Sequence, residues 1–227
     1  MTTCIQGQYD KHDFPLQHFT LNTISEPLLH VLSSLILSHD GWALKGGVAT
    51  SIYVEDHLRE VTDLDILIHK DNIKKNVLDI IKNSSNCSHV FEESYRSGRM
   101  RYTAFFPVQK SFVKTEWILT EELPSVEHKD WPINETIYTL PCISRQSLIG
   151  EKIFKIAHSE TNSNYKKKFW KHLNDVVQLL PSIESFSKEI DHSLLPSMLR
   201  ICKMHMQEKD YSIFVAQVKE KDTNDSL

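Results

Sequence analysis

The spacing of apolar positions changes character twice along the chain, from helical to alternating and back to helical. Over residues 26–38, Leu28, Leu29, Val31, Leu32, Leu35, Ile36 and Leu37 form a wide stripe at helical spacing, which predicts a helix with one buried face. A short apolar run over 41–44 predicts a strand, and 48–54 a short helix. Over 63–69 the pattern alternates: Leu64, Ile66 and Ile68 turn to one face and Asp63 and Asp65 to the other. Residues 72–82 predict a second amphipathic helix carrying Ile73, Val77, Leu78, Ile80 and Ile81, with Asp71 as its N-cap. Crowded β-branched and aromatic residues predict strands over 90–93, 100–107, 112–119 and 135–140, broken at Gly98 and over 108–111. From Ser144 onward the period is helical, with Pro181 and Pro196 as breaks, and the charged stretch 219–227 is expected to fray. Strands first and helices after predict an α+β fold: an arm over 1–24, a sheet-bearing core over 25–143 and a helical region over 144–227.

Composition narrows the function classes. The 227 residues are 40% hydrophobic and 25% charged, as in soluble globular proteins, and no window approaches a membrane-spanning length of apolar residues. The N-terminus lacks the basic segment and apolar run of an export signal, so a cytoplasmic protein is expected. Cys4, Cys87, Cys142 and Cys202 show no C-x-x-C spacing, and the 12 histidines form no H-x-x-x-H or H-E-x-x-H, which predicts reduced thiols and no zinc site. A net charge of −4 argues against indiscriminate nucleic-acid binding. Two local basic clusters keep RNA contact open: Arg96, Arg99 and Arg101, and Lys166, Lys167, Lys168 and Lys171 around Phe169 and Trp170. Lysines on a solvated helix face are the ordinary alternative.

The candidate chemistry lies in Leu44-Lys45-Gly46-Gly47 and in the strand that follows after a helix-length interval. Asp63 and Asp65, two apart on a strand, present several oxygens at one spot, an arrangement that suits Mg²⁺, with Mn²⁺ as an alternative. Mg²⁺ is usually held by one or two carboxylates plus substrate phosphates. Gly46 and Gly47 allow close approach of the backbone, and a helix starting just after Gly47 would turn its free N–H groups toward phosphates.

In this order, apolar strand, Gly-Gly, helix, arginine and D-x-D strand, the chain resembles the nucleotidyltransferase superfamily that includes DNA polymerase beta. Residues 43–51, with Arg59 ahead of the D-x-D, resemble most the AbiEii-type toxin branch, whose L-K-G-G-T-A-L-S string precedes R-x-x-x-D-x-D. Val48 departs from it, standing where the branch usually has Thr or Ser. Residues 144–153 and 171–180 resemble two helices of the same branch, so the resemblance spans roughly residues 25–182.

The resemblance implies a nucleotidyltransferase-like mixed sheet flanked by helices. It also implies Mg²⁺-dependent transfer of a nucleotide from an NTP such as ATP to an RNA or protein acceptor, in a toxin-like protein with an antitoxin partner. Asp63 and Asp65 are then catalytic metal ligands. Glu116, on a neighbouring strand and on the same face as Lys114, is the third ligand or the general base, although the superfamily more often has Asp there. Lys45, Gly46, Gly47, Thr50, Ser51, Arg59 and Lys152 are the implied nucleotide contacts. Plainer roles stand beside these: ion pairs with Glu55, Asp56 or Glu60 for Lys45 and Arg59, a surface position for Lys152, and a structural role for Asp175. Two other functions compete, a small-molecule nucleotidyltransferase of the antibiotic-modifying kind and a non-catalytic nucleotide-binding regulator that keeps the fold.

Overall fold

The computed structural model describes residues 2–4, 14–20, 22–38, 41–55, 60–72, 74–83, 87–95, 99–133 and 136–222, and the chain divides into two compact units, Met1–Ile143 and Ser144–Leu227. The first unit is built on one mixed sheet. Its elements are β1 (Thr2–Cys4), α1 (Glu26–Ser38), β2 (Trp42–Lys45), α2 (Gly46–Tyr53), β3 (Asp63–His69) and α3 (Lys74–Asn83). They continue with β4 (His89–Ser94), β5 (Met100–Val108), β6 (Ser111–Thr120), β7 (Val126–Ile133) and β8 (Thr136–Ile143). The sheet has eight strands in the order β1-β4-β5-β6-β3-β2-β8-β7. β3 runs parallel to β6 and antiparallel to β2, so the strand carrying the aspartates lies inside the sheet with a partner on each edge.

Alternation along these strands separates two chemistries. Leu64 and Ile66 of β3 and Thr115 and Trp117 of β6 share one face in direct register and are fully buried, and the Trp117 indole N–H donates to Thr115 Oγ1 at 2.7 Å. Thr115 thus supplies the partner that a buried indole needs. The opposite face carries Asp63, Asp65, Lys114 and Glu116. Phe105 and Phe112 share that face, and Phe14 stacks on Phe105 with centroids 4.3 Å apart and meets Phe91 and Phe112 edge-on.

Several elements differ from the sequence expectation. The segment before residue 25 is more than a surface arm: β1 pairs with β4, and Phe19 exchanges backbone hydrogen bonds with Val61. β7 was not expected. Its run Glu127-His128-Lys129-Asp130 has no apolar side, and it is the pairing with β8 that makes it a strand at the sheet edge. Asp71, the expected N-cap of α3, sits within a 3₁₀ turn, Lys70–Asn72. Pro196 starts a helix instead of breaking one, as a residue without an N–H to donate can in a first turn. Ile73, Arg96, Gly98 and 223–227 lie outside the described residues.

The second unit is helical: α4 (Arg145–Ala157), α5 (Ser163–Lys167), α6 (Phe169–Leu179), α7 (Leu195–His205) and α8 (Glu208–Lys221). Ser144 caps α4, accepting from the Ser147 N–H at 3.1 Å and donating to Glu189 at 2.7 Å. Ser144→Ala leaves that amide without its partner and is expected to cost about 1 kcal/mol, read as a lower midpoint in thermal denaturation. Cys87, Cys142 and Cys202 are free thiols; burial pushes the latter two up to about 12, so they stay protonated at neutral pH. Among the described residues no helix is long and apolar enough to cross a membrane.

Candidate active site

Register brings the sequence-distant acids together. The parallel pairing of β3 and β6 sets Asp65 opposite Glu116 and Asp63 opposite Lys114, and the antiparallel pairing of β2 sets Lys45 opposite Asp65. Residues directly opposite on paired strands project to one face about 5 Å apart. Asp63, Asp65 and Glu116 therefore form one carboxylate cluster, flanked by Lys45 on one side and Lys114 on the other.

Lys114 is the central cation of this face. Its Nζ lies 3.0 Å from Asp63 Oδ2 and 2.8 Å from Glu116 Oε1. The other Glu116 oxygen, Oε2, accepts from Arg101 at 3.2 Å, and Arg101 in turn holds Glu93 at 2.5 Å. A ladder of alternating charge, Glu93, Arg101, Glu116, Lys114, Asp63, thus crosses four neighbouring strands, β4-β5-β6-β3. Burial lowers the Lys114 pKa, but Asp63 and Glu116 more than reverse that, and its ammonium is held above the ordinary lysine range. Asp65 has the opposite fate. Burial first, then the charges of Asp63 and Glu116, push it up to about 7, with Lys45 and Lys114 pulling the other way. A carboxylate so shifted gains from any added positive charge.

Gly46 explains why the turn into α2 carries glycine. Its φ is +67°, and a Cβ there would lie 2.0 Å from Asp65 Oδ2, so the Asp65 carboxylate lies directly against the first residue of the helix. The helix starts at Gly46 itself, two residues earlier than the expected start after Gly47, with Lys45 as N-cap and no side-chain cap. First-turn N–H groups without a side-chain cap can meet an anion.

Other expected contacts fall elsewhere. Thr50 and Ser51 are fully buried, and their hydroxyls donate to the Gly46 and Gly47 carbonyls at 2.9 and 3.0 Å, so neither is presented to a ligand. Val48 is also fully buried, and its departure from the branch pattern is a core substitution. Arg59 lies outside the described residues. Lys152 belongs to the helical unit and is not a surface lysine: it is 2% exposed, with Nζ 2.7 Å from Oδ2 of the fully buried Asp175. Asp175 thereby pairs with Lys152 within the helical unit. His172 beside them is kept neutral by burial and by Lys152 and Lys155, with its pKa down at about 3. Lys166, Lys167, Lys168 and Trp170 of the same unit are exposed.

Three members of the ladder, Glu93, Arg101 and Lys114, carry no assigned role in the sequence. The sequence pattern places Lys114 only on one face with Glu116, and Arg101 only in a basic cluster, whereas Arg101 neutralises two acids. The i, i+2 spacing of Lys114 and Glu116 was the available signal; the strand register that joins them to Asp63 and Asp65 was not in it.

The donors suit a hard divalent cation. Among the described residues no three His, Cys, Asp or Glu side chains are arranged to hold a metal by themselves. A carboxylate pair on one strand, with a third carboxylate already tied to cations, matches Mg²⁺, which needs few protein ligands and keeps water or phosphate oxygens for the rest. The raised pKa of Asp65 is consistent with a carboxylate in want of a counter-charge.

A family profile described as nucleotidyl transferase AbiEii toxin, type IV toxin–antitoxin system, matches residues 30–223. Among solved structures, an antigenic nucleotidyltransferase-like protein from Paracoccidioides brasiliensis superposes with a TM-score of 0.56 at 16% identity, over 86% of this chain and 91% of that one. That likeness bears on the fold. A protein of H. pylori assigned as a nucleotidyltransferase gives 0.42 at 14% identity, over 87% and 98%. No curated protein sequence matches significantly.

Proposed function

The chain belongs to the AbiEii nucleotidyl transferase toxin family, and on that premise we propose that it transfers a nucleotide from an NTP to a macromolecular acceptor, RNA or protein. Asp63 and Asp65 hold the divalent ion, Mg²⁺ or its substitute Mn²⁺. The observation that carries this reading is the register of β3 with β6, which gathers Asp63, Asp65 and Glu116 beside the Gly46 turn. A bound Mg²⁺ supplies charge neutralisation at the phosphates and lowers the pKa of an attacking hydroxyl.

The chain's own residues do the rest. Glu116 is the third carboxylate, as ligand or as the base that takes the acceptor proton. Lys45, opposite Asp65, offers a point charge to a phosphate, and Gly46 and Gly47 let phosphate oxygens approach the backbone at the start of α2. Membership of a toxin–antitoxin family supports an antitoxin protein as binding partner. The test is transfer of label from each α-³²P NTP, with Mg²⁺, to total RNA or lysate protein, run beside the Asp63→Asn/Asp65→Asn double variant. Label moved by the native protein alone identifies both nucleotide and acceptor; equal labelling by the variant, or none by a folded native protein with either acceptor, overturns the assignment.

A further inference from the structure

On that reading of the site, we propose that Lys114 is its resident cation: the ammonium bridging Asp63 and Glu116 and the divalent ion are alternative partners of the same carboxylates, and metal entry displaces Lys114 toward solvent. The contacts at 3.0 and 2.8 Å place Nζ between one oxygen of each acid. An ion shared by Asp63 and Glu116 at ligand distances of about 2.0–2.1 Å needs that same point. Two positive centres cannot share it, since at such separations their repulsion outweighs what either gains from the acids.

The two cations of the ladder differ in what holds them. Arg101 is fixed from both sides, by Glu116 and by Glu93, whose side chain is only 8% exposed. Its planar fork keeps Glu116 in place when another partner leaves. Lys114 is a point charge on a flexible stem, bound to acids that both face the cluster, and its side chain is 16% exposed. Asp65 lies opposite both Glu116 and Lys45 in strand register, beside the acids that hold Lys114. A dication in place of Lys114 brings one more positive charge to the cluster, within reach of Asp65. Lys114 therefore keeps the carboxylates gathered and sets the threshold of metal affinity.

The test is calorimetry with Mn²⁺ alone on the full chain. Lys114→Gln, which removes the competing charge, is expected to bind Mn²⁺ at least about tenfold more tightly than the native protein. A second measurement needs only native protein: the acetylation rate of Lys114, read by peptide mass spectrometry, is expected to rise several-fold at saturating Mn²⁺ while that of exposed Lys166 stays constant. Native Mn²⁺ binding with equal or weaker binding by Lys114→Gln, or with unchanged Lys114 acetylation, overturns the resident-cation inference and leaves the carboxylate metal site standing. Failure of native protein and variant alike to bind Mn²⁺ overturns both. Should Lys114→Gln fail to fold, the acetylation result decides.

Discussion

Asp65→Asn is expected to yield a protein that is more stable than the native one and inactive. In the folded chain Asp65 titrates near pH 7, raised from 3.8 by burial and by the charges of Asp63 and Glu116. The native state therefore holds this proton more tightly than the unfolded chain does. Between about pH 4 and pH 7 the folded form binds more protons, so this residue's contribution to stability falls as pH rises through that window. Above it, the ionised carboxylate is a standing cost. Asparagine keeps the shape and removes the charge, and it also removes an attraction to Lys45 and Lys114, which offsets part of the gain. The net expected effect is about 2 kcal/mol of stabilisation at pH 8, or about 4–8 °C in Tm, fading to nothing below pH 4. Nucleotide transfer should fall by at least about a thousandfold, since charge stabilisation at the phosphates is lost with the ligand. Asp63→Asn makes the contrast: Asp63 is paired with Lys114, so its loss is expected to abolish transfer without the gain in Tm. Thermal denaturation at pH 5 and pH 8 beside the transfer assay checks this. An Asp65→Asn protein that melts no higher than native at pH 8, or that keeps a tenth of the activity, contradicts it.

This opposition of stability and function bears on what was legible in the sequence. α1 and β3 were read to their end residues, because a wide helical stripe and a strict alternation are both local signals. The D-x-D was legible for the same reason. What could not be read was partnership across strands. Nothing in residues 111–120 says that they lie parallel to β3, or in the register that sets Glu116 against Asp65. The same residue types that formed an apparent basic cluster around Arg101 became half of an ion-pair ladder once β4, β5 and β6 were adjacent. At Thr50 and Ser51 a hydroxyl next to Gly-Gly suggests a ligand contact, while their place on α2 turns both onto backbone carbonyls four residues back. Lys152 shows the converse. An ammonium on a helix is usually solvated, and only the fold reveals a buried acid waiting for it.

Gly46→Ala is expected to disable the site through backbone geometry alone. Two independent obstacles meet at this residue. At φ +67° an L side chain carries a conformational penalty of about 1–2 kcal/mol. The new methyl would also sit 2.0 Å from Asp65 Oδ2 and 3.2 Å from Asp65 Cβ, and Gly46 is fully enclosed at the start of α2. Asp65 cannot give way freely, because its Cβ belongs to a strand fixed on both edges by β2 and β6. Relief must come from rotation of the carboxylate away from Gly46 or from separation of α2 from β3, and each removes Asp65 from its position relative to Asp63. The expected cost is about 2–4 kcal/mol of stability, with Mn²⁺ binding and nucleotide transfer down at least about a hundredfold in whatever fraction stays folded. Gly47→Ala is the internal control. Gly41 and Gly46 are the glycines at positive φ among the described residues, so position 47 accepts an L residue without backbone penalty, and the alanine strengthens the helix by about 0.5–1 kcal/mol. Urea denaturation of the two variants, followed by Mn²⁺ calorimetry on each, separates them. If Gly46→Ala proves no less stable than Gly47→Ala and binds Mn²⁺ as the native protein does, the contact between the glycine turn and Asp65 is not what positions the carboxylate.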